Sequence, residues 1–450
     1  MPVQSLPGFR DFFPEDLALR AHIFGAMRRV ALRYGFEEYD GPPLEALELY
    51  TQKSGEEIVG QLYHFADKGG REVALRPEMT PTLARMVATR AGALKKPIRW
   101  FSIPQLFRYE RQQRGRLREH FQLNCDIVGE PGPLADAEII ALALDVMREL
   151  GLGPQDVRVR VSDRRVLDSL LVELGVPLDN RLLAYQAIDK LGRSEYAGHK
   201  QRLLDIAGTV VAVEFVEKHR QARTWAQLAE ALAPHPSVLE RARSLQGALA
   251  ALNDMGFGEF VEVDLSIVRG LAYYTGIVFE LFDAQGALRA ICGGGRYDDL
   301  LQTIGGVDLP ALGFGMGDVV LGELLKERGL ASVALSAVDV FVAHVTAEDR
   351  PQVLRLAHVL RDAGLRVEFA LGDQSLGKQL KLADARGAAR AVVIGPDDRA
   401  RGEAVVKDLG SGEQRRVGLE GLVAHLIADL GNGGLLTSHL SPLTSHGSNG

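Results

Sequence analysis

Ile23, Phe24, Met27, Val30 and Ala31 recur at helical spacing between Leu17 and Tyr34, which predicts an amphipathic helix. Short apolar runs separated by turns follow, and Val73–Leu75, Ile98–Ile103, Leu106–Tyr109 and Phe121–Val128 are the strand candidates. A long apolar periodicity from Leu134 to Leu150, stopped by Gly151, predicts a second helix, with Val157–Val161 as a further strand. Strands and helices do not alternate strictly, so the pattern predicts an α+β fold with a largely antiparallel sheet.

From about residue 166 to 252 the pattern turns helical. Strands resume at Phe260–Leu265 and Tyr273–Phe282, so the helical block is expected to be an insertion within one sheet domain spanning residues 1–330. A small-residue linker, 331–337, leads into a regular alternation over 338–430: strands Val338–Val345, Arg366–Leu371 and Arg390–Ile394 with helices between them, two more strands, and a final helix. That predicts a C-terminal α/β domain. Residues 431–450 are rich in Gly, Ser, Thr and Leu and are expected to be a disordered tail.

With 450 residues, about three domains are expected at roughly 150 residues each. The charge balance, 52 basic against 59 acidic residues for a net −7, excludes a generally basic nucleic-acid coat while leaving local basic patches open. Cys125 and Cys292 are the two cysteines, without CxxC or Cys/His spacing, which excludes a disulfide framework or a structural zinc site. No run approaches 18 apolar residues, and the N-terminus lacks a basic-then-apolar signal pattern, so a cytosolic protein without a membrane span is expected.

The chemistry concentrates in a few segments. Between Phe107 and Gln122, Arg108, Arg111, Arg114, Arg116 and Arg118 fall within eleven residues around Gly115. Such a strand–loop–strand suits phosphate oxygens, against the plainer reading of a solvated basic hairpin. Leu75–Arg85 places Glu78 and Thr80 at a helix start, where either capping or the holding of a ligand ammonium accounts for them. Arg269 enters an apolar strand and must be paired or meet an anion, and Tyr273 and Tyr274 are expected on opposite faces of that strand. Gly293–Gly295 fit a tight turn. Gly372–Gln379 nearly fits a phosphate-binding loop, but Gln379 replaces the metal-binding hydroxyl. The segment is better read as a helix start whose Lys378, Lys381, Arg386 and Arg390 face either RNA phosphates or solvent.

Together these segments resemble the histidyl-tRNA synthetases, a family of class II aminoacyl-tRNA synthetases, over residues 3–430. Phe107–Gln122 is similar to class II motif 2, Leu75–Arg85 to the RPE-x-T element, Arg269–Glu280 and Gly293–Asp298 to the two histidine motifs, and the C-terminal module to an anticodon-binding domain. The resemblance implies a class II antiparallel catalytic core. It also implies ATP-dependent ligation of L-histidine to tRNA(His) through histidyl-adenylate, with Mg2+, in a homodimer that uses Gly8–Pro14 and the first helix. By that resemblance Arg108 and Arg269 flank the α-phosphate of ATP and Arg116 meets the outer phosphates. Glu78, Thr80 and Gln122 lie at the histidine ammonium, with Met79 among the histidine-binding residues, and Asp126, Tyr273 and Tyr274 at its imidazole. Gln112, Arg114 and Arg118 face the acceptor stem, and Lys378 and Lys381 the tRNA further along. Three positions depart from the family pattern: Ala272 replaces an acid, Val320 the motif 3 arginine, and Gln112 a frequent proline. These keep one alternative in view, a non-catalytic paralogue such as the regulatory subunit of ATP phosphoribosyltransferase.

Overall fold

Pro14 in the first turn, with Glu15 and Asp16 behind it, starts helix α1 (Pro14–Arg33). The apolar stripe of the sequence is its buried face: Ile23, Ala26, Met27, Val30 and Ala31. The computed structural model describes residues 4–51, 56–111, 115–190, 201, 203–206, 218–268, 273–286, 288–331 and 338–432. They fall into two compact units that divide between Val333 and Ala334.

The first unit is built on one large sheet. Its strands are β1 (Glu37–Glu38), β2 (Ile98–Ser102), β3 (Glu119–Val128), β4 (Val157–Asp163), β5 (Val261–Val263), β6 (Ile277–Asp283), β7 (Cys292–Arg296) and β8 (Ala311–Gly317). They lie in the order β1-β2-β3-β8-β7-β6-β4-β5, with a short strand at Gln105–Phe107 pairing off β3. The sheet is antiparallel except for its outermost pairs, β1 with β2 and β4 with β5, which are parallel. The helical stretch leaves the sheet after β4 and returns at β5, beside the same strand. Its helix α5 (Arg243–Asp254) contributes Leu245, Ala248 and Leu252 to the sheet's own core.

Alternation along the strands divides the two faces. Leu123, Cys125 and Ile127 of β3 face a dense core with α3 (Pro133–Glu149), whose apolar residues are buried almost all the way round. Each fully buried Leu or Ile there contributes roughly 1.5–3 kcal/mol. Gln122, Asn124 and Asp126 take the other face, and that face carries the site. Glycine-rich Cys292–Arg296 is a fully buried strand in the middle of the sheet, not a tight turn. A side chain on Gly295 would come within 2.7 Å of the Ile277 carbonyl oxygen, so only a bare backbone fits between its neighbours.

The second unit is a five-stranded sheet in the order β10-β9-β11-β12-β13: β9 (Val340–His344), β10 (Val367–Phe369), β11 (Arg390–Ile394), β12 (Glu403–Asp408) and β13 (Gln414–Gly418). Helix Leu376–Ala385 begins within the phosphate-loop look-alike. Gln379 is buried there, its amide oxygen accepting from the His344 N–H at 3.2 Å and its amide nitrogen donating to the His344 carbonyl at 2.9 Å. The residue that spoils the phosphate motif is therefore a strut between helix and sheet. Lys378 and Lys381 are exposed. Arg390 does not face outward as expected: it is ion-paired with Asp408 at 2.8 Å and Asp429 at 2.7 Å, and Arg386 pairs with Glu368 at 3.4 Å. Among the described residues no helix is long and apolar enough to cross a membrane. Of the linker expected at 331–337, residues 332–337 lie outside the described residues, as does the tail expected at 431–450 from residue 433 on; Gly431 and Asn432 instead end the last helix, Leu422–Asn432.

Candidate active site

The glycine-rich strands β7 and β8 and the polar face of β3 form the floor. In the register of β3 with β8, Gln122, Asn124 and Asp126 stand opposite Gly317, Gly315 and Gly313. A Cβ on Gly315 would lie 2.5 Å from the Gln122 amide, so glycine is what lets the polar side chains of β3 lean across β8. Above this floor lies a cavity of about 310 Å³.

Glu78, Thr80 and Tyr273 are among its lining residues. Thr80 opens helix α2 (Thr80–Arg90) without capping it: Met79 is the N-cap, and no side chain makes a cap hydrogen bond. Capping therefore does not account for Thr80. Tyr273 donates to Glu78 Oε2 at 2.9 Å, and burial followed by the Glu78 charge holds its phenol well above the usual range. Met79 packs away from the cavity, with Arg76 Nη1 3.9 Å from its sulfur.

The tyrosines depart from the expectation for a strand. Tyr273 and Tyr274 precede β6, so strand alternation does not separate them, and both line the cavity with ring centroids 5.1 Å apart. Tyr297, inside the expected Gly293–Asp298 segment but not singled out from sequence, completes the group 5.9 Å from Tyr273, edge-on. Its hydroxyl donates to Asp126 Oδ1. Asp126 is thus set behind the tyrosines rather than on the cavity wall. Burial pushes its carboxyl up to about 7, against the lowering effect of that hydrogen bond.

Part of the lining is cationic. Arg108 lines the cavity with its Nε–H donated to the Pro77 carbonyl at 2.9 Å, which fixes the guanidinium while leaving its outer nitrogens forward. Arg116 also lines it and is paired with Glu110, Nη2 to Oε1 at 2.8 Å. His120 stands between cations: burial, then Arg108 and Arg10, lower its pKa to about 3, so its ring is neutral. Glu110, His120 and Asn124 were not legible as site residues, although each lies inside the arginine-rich segment or just after it. Val319 and Val320 of α6 (Asp318–Glu327) add an apolar wall to the cavity. The Val320 methyl already approaches Gly115, which adopts φ +74°; a Cβ there would be 3.2 Å away.

Arg118 is less free than its sequence position suggested. Its guanidinium lies 4.2 Å over the Tyr109 ring, and its backbone N–H donates to the Gly8 carbonyl at 3.0 Å. It thereby ties the N-terminal segment to the arginine hairpin. Gln112, Arg114, Arg269 and Ala272 lie outside the described residues.

The geometry joins two guanidiniums, a buried carboxylate with a hydroxyl, and a tyrosine cluster around one cavity, and the comparisons with known proteins agree with it. The histidyl-tRNA synthetase family model matches residues 8–317, and the anticodon binding domain model matches 339–429. The histidine–tRNA ligase of Opitutus terrae is 47% identical over 413 residues, covering 90% of this chain and 94% of that one. Its counterpart from Haloquadratum walsbyi is 40% identical, covering 92% and 96%. The crystal structure of histidyl-tRNA synthetase from Nostoc superposes with a TM-score of 0.82 at 26% identity, over 96% of this chain and all of that one. The chain therefore belongs to the histidyl-tRNA synthetases, class II enzymes with histidine–tRNA ligase activity.

Proposed function

We propose that the cavity holds histidine and ATP end to end, with the ammonium at Glu78, Thr80 and Gln122, the imidazole among Tyr273, Tyr274 and Tyr297 above Asp126, and the phosphates at Arg108 and Arg116. The observation that carries this is that one cavity is lined together by the Glu78 carboxylate, the guanidiniums of Arg108 and Arg116, and Tyr273, Tyr274 and Tyr297. A histidine carboxylate oxygen attacks the α-phosphorus, the bond to the bridging oxygen breaks, and pyrophosphate leaves with that electron pair. The 3′-hydroxyl of the tRNA's terminal adenosine then attacks the acyl carbon, and AMP leaves. Charge accumulates on phosphate oxygens in both steps, so fixed cations contribute more than a strong base. Arg269 belongs to this proposal by its place in the family motif. Mg2+ enters it as the companion of ATP. Among the described residues no cluster of three acidic, His or Cys groups is suited to a metal, and Glu78 and Glu110 are engaged with Tyr273 and Arg116.

Recognition of tRNA is assigned to Gln112, Arg114 and Arg118 at the acceptor end and to Lys378 and Lys381 of the anticodon-binding domain. The proposal includes a homodimer built on the N-terminal face, where Leu6 and Phe13 are exposed large apolar residues at 69% and 67%. It also includes a cytoplasmic setting, although a 41%-identical relative from Arabidopsis thaliana is named chloroplastic/mitochondrial. Against the regulatory-paralogue reading stands the anticodon-binding domain; the likeness to a Bacillus halodurans protein titled as a regulatory subunit/histidyl-tRNA synthetase, at 22% identity and TM-score 0.73, is one of fold.

Histidine-dependent ATP–pyrophosphate exchange tests the reading, with the other amino acids as controls. Exchange confined to histidine is the expected result, and its absence from folded protein would return the paralogue. A second expectation concerns pH. The neutral imidazole offers an N–H to a carboxylate, so kcat/KM for histidine should fall as pH drops through about 7 and Asp126 takes up a proton. Asp126→Asn should remove that limb of the profile; an unaltered limb would dissociate Asp126 from the imidazole.

A further inference from the structure

Arg76 stands one residue before Pro77, whose carbonyl anchors Arg108, yet it does not itself line the cavity. It is 5% exposed, and its bonds tie separate segments of the chain together. The guanidinium donates from Nη1 to the Gly41 carbonyl at 2.7 Å and to Asp40 Oδ1 at 2.8 Å, and from Nε to the Gln105 carbonyl at 3.0 Å. Its backbone N–H donates to the Pro43 carbonyl at 2.9 Å, and its carbonyl accepts from the Phe107 N–H at 3.0 Å. The Asp40–Gly41 acceptors are themselves held in place. A Cβ on Gly41 would come 2.5 Å from the Thr82 methyl, so this segment lies directly against helix α2.

These bonds converge on the approach to Arg108. Gln105–Phe107 is the short strand that pairs off β3, and Arg108 is the residue that follows it. Arg76 grips both ends of that strand, at the Gln105 carbonyl and the Phe107 N–H, and the next carbonyl in the chain, that of Pro77, takes the Arg108 Nε–H at 2.9 Å. Two neighbouring residues thus fix first the backbone before Arg108 and then its side chain. The ion pair explains little of the burial of Arg76. Desolvating a guanidinium is costly, and the Asp40 side chain it pairs with is 67% exposed, where such a pair contributes little to stability. What the guanidinium adds is direction, since its rigid fork sets two backbone carbonyls at fixed angles on one side chain.

We propose that Arg76 is a positioning residue for adenylate formation: by holding Pro77 against the strand that leads into Arg108, it aims the Arg108 guanidinium at the phosphates. This rests on the assignment of Arg108 to the phosphates made above. It extends the machinery of that step to a side chain outside the cavity.

The full-length enzyme tests it through the kcat of histidine-dependent ATP–pyrophosphate exchange, measured in the parental background and in Arg108→Ala. Arg76→Met should lower kcat by about 10–10²-fold, the scale set by a small misplacement of a catalytic group, with the ATP KM changed by less than about threefold. In Arg108→Ala the same change should cost less than about threefold, because the guanidinium it aims is gone. Arg76→Lys should recover little, since an ammonium lacks the fork that spans both carbonyls. Asp40→Ala, at an exposed side chain, loosens Arg76 without removing it. It should cost about three- to fivefold in the parental background, the loss of one hydrogen bond, and nothing further in Arg108→Ala. Losses of equal size in the two backgrounds overturn the proposal and mark Arg76 as structural. Parental kcat in both Arg76→Met and Asp40→Ala overturns it as well, and if Arg76→Met does not fold, the Asp40→Ala pair decides alone. Arg108→Ala by itself separates the two layers of argument. Parental exchange in that variant removes Arg108 from the phosphates, whereas a strongly impaired Arg108→Ala that still loses the full factor on Arg76→Met removes Arg76 alone.

Discussion

Arg108→Ala will lower the rate of histidine-dependent ATP–pyrophosphate exchange by about 10²–10³-fold, the loss typical of removing one preorganised donor from a developing oxyanion. The effect should fall on kcat more than on the KM of ATP, because charge on the α-phosphate oxygens grows toward the transition state. Arg108→Lys should recover less than about a tenth of the loss. The arginine spends its Nε–H on the Pro77 carbonyl and so presents its outer nitrogens on a fixed fork, whereas a lysine ammonium has charge without that second attachment. Steady-state exchange with ATP and histidine varied in turn is the measurement. A lysine variant near parental rate would mean that the charge alone suffices and that the Pro77 anchor is incidental.

That anchor is also an example of what the sequence withholds. The motif residues were legible because their types are unusual where they stand: five arginines in one hairpin, a Glu–Met–Thr before a helix, paired tyrosines after Arg269. The helices with a clean apolar period, α1 and α3, were legible for the same reason. Partners distant in sequence were not. Arg390 resembled an RNA-facing cation until Asp429, 39 residues on, and Asp408 were found against it. Tyr297 meets Asp126 across 171 residues, and no local pattern marks that meeting. Glycines misled in another way. Gly293–Gly295 carry turn-like propensity, yet the strand exists because its neighbours leave no room for a Cβ, a constraint set by packing across the sheet. Strand β3 begins two residues before its apolar run because Glu119, although charged, is buried against Arg10 at 2.6 Å. Local propensity fixes none of these; tertiary partners do.

Arg296→Met should destabilise the catalytic unit by about 3–5 kcal/mol, the cost of leaving a buried carboxylate without its cation. Arg296 is 2% exposed. It reaches Asp136 with Nη2 at 2.5 Å and with Nε at 3.3 Å, and donates to the Glu130 and Gly132 carbonyls at 3.0 and 3.2 Å. It thereby pins the start of α3 to the end of β7. Burial already raises the Asp136 carboxyl to about 6, with Arg296 opposing it. A folded-state pKa above the unfolded value means that the native protein holds the extra proton, so this group's stability contribution declines as pH rises through that interval. Removing the arginine lifts the Asp136 pKa further. The deficit of the variant should therefore be larger at pH 8 than at pH 5, where a protonated Asp136 no longer needs a cation. Both tryptophans, Trp100 and Trp225, lie in the first unit, so their fluorescence during urea unfolding reports that unit apart from the anticodon-binding domain. Arg296→Met with Asp136→Leu should recover much of the loss, since an apolar pair replaces the buried ions. A deficit equal at both pH values, or no recovery in the double variant, would assign the stability of Arg296 to its bonds with the Glu130 and Gly132 carbonyls. The consequence reaches the site as well, because the residue that follows Arg296 in the chain is Tyr297, whose hydroxyl meets Asp126. A variant stable enough to assay should lose histidine affinity before it loses ATP affinity.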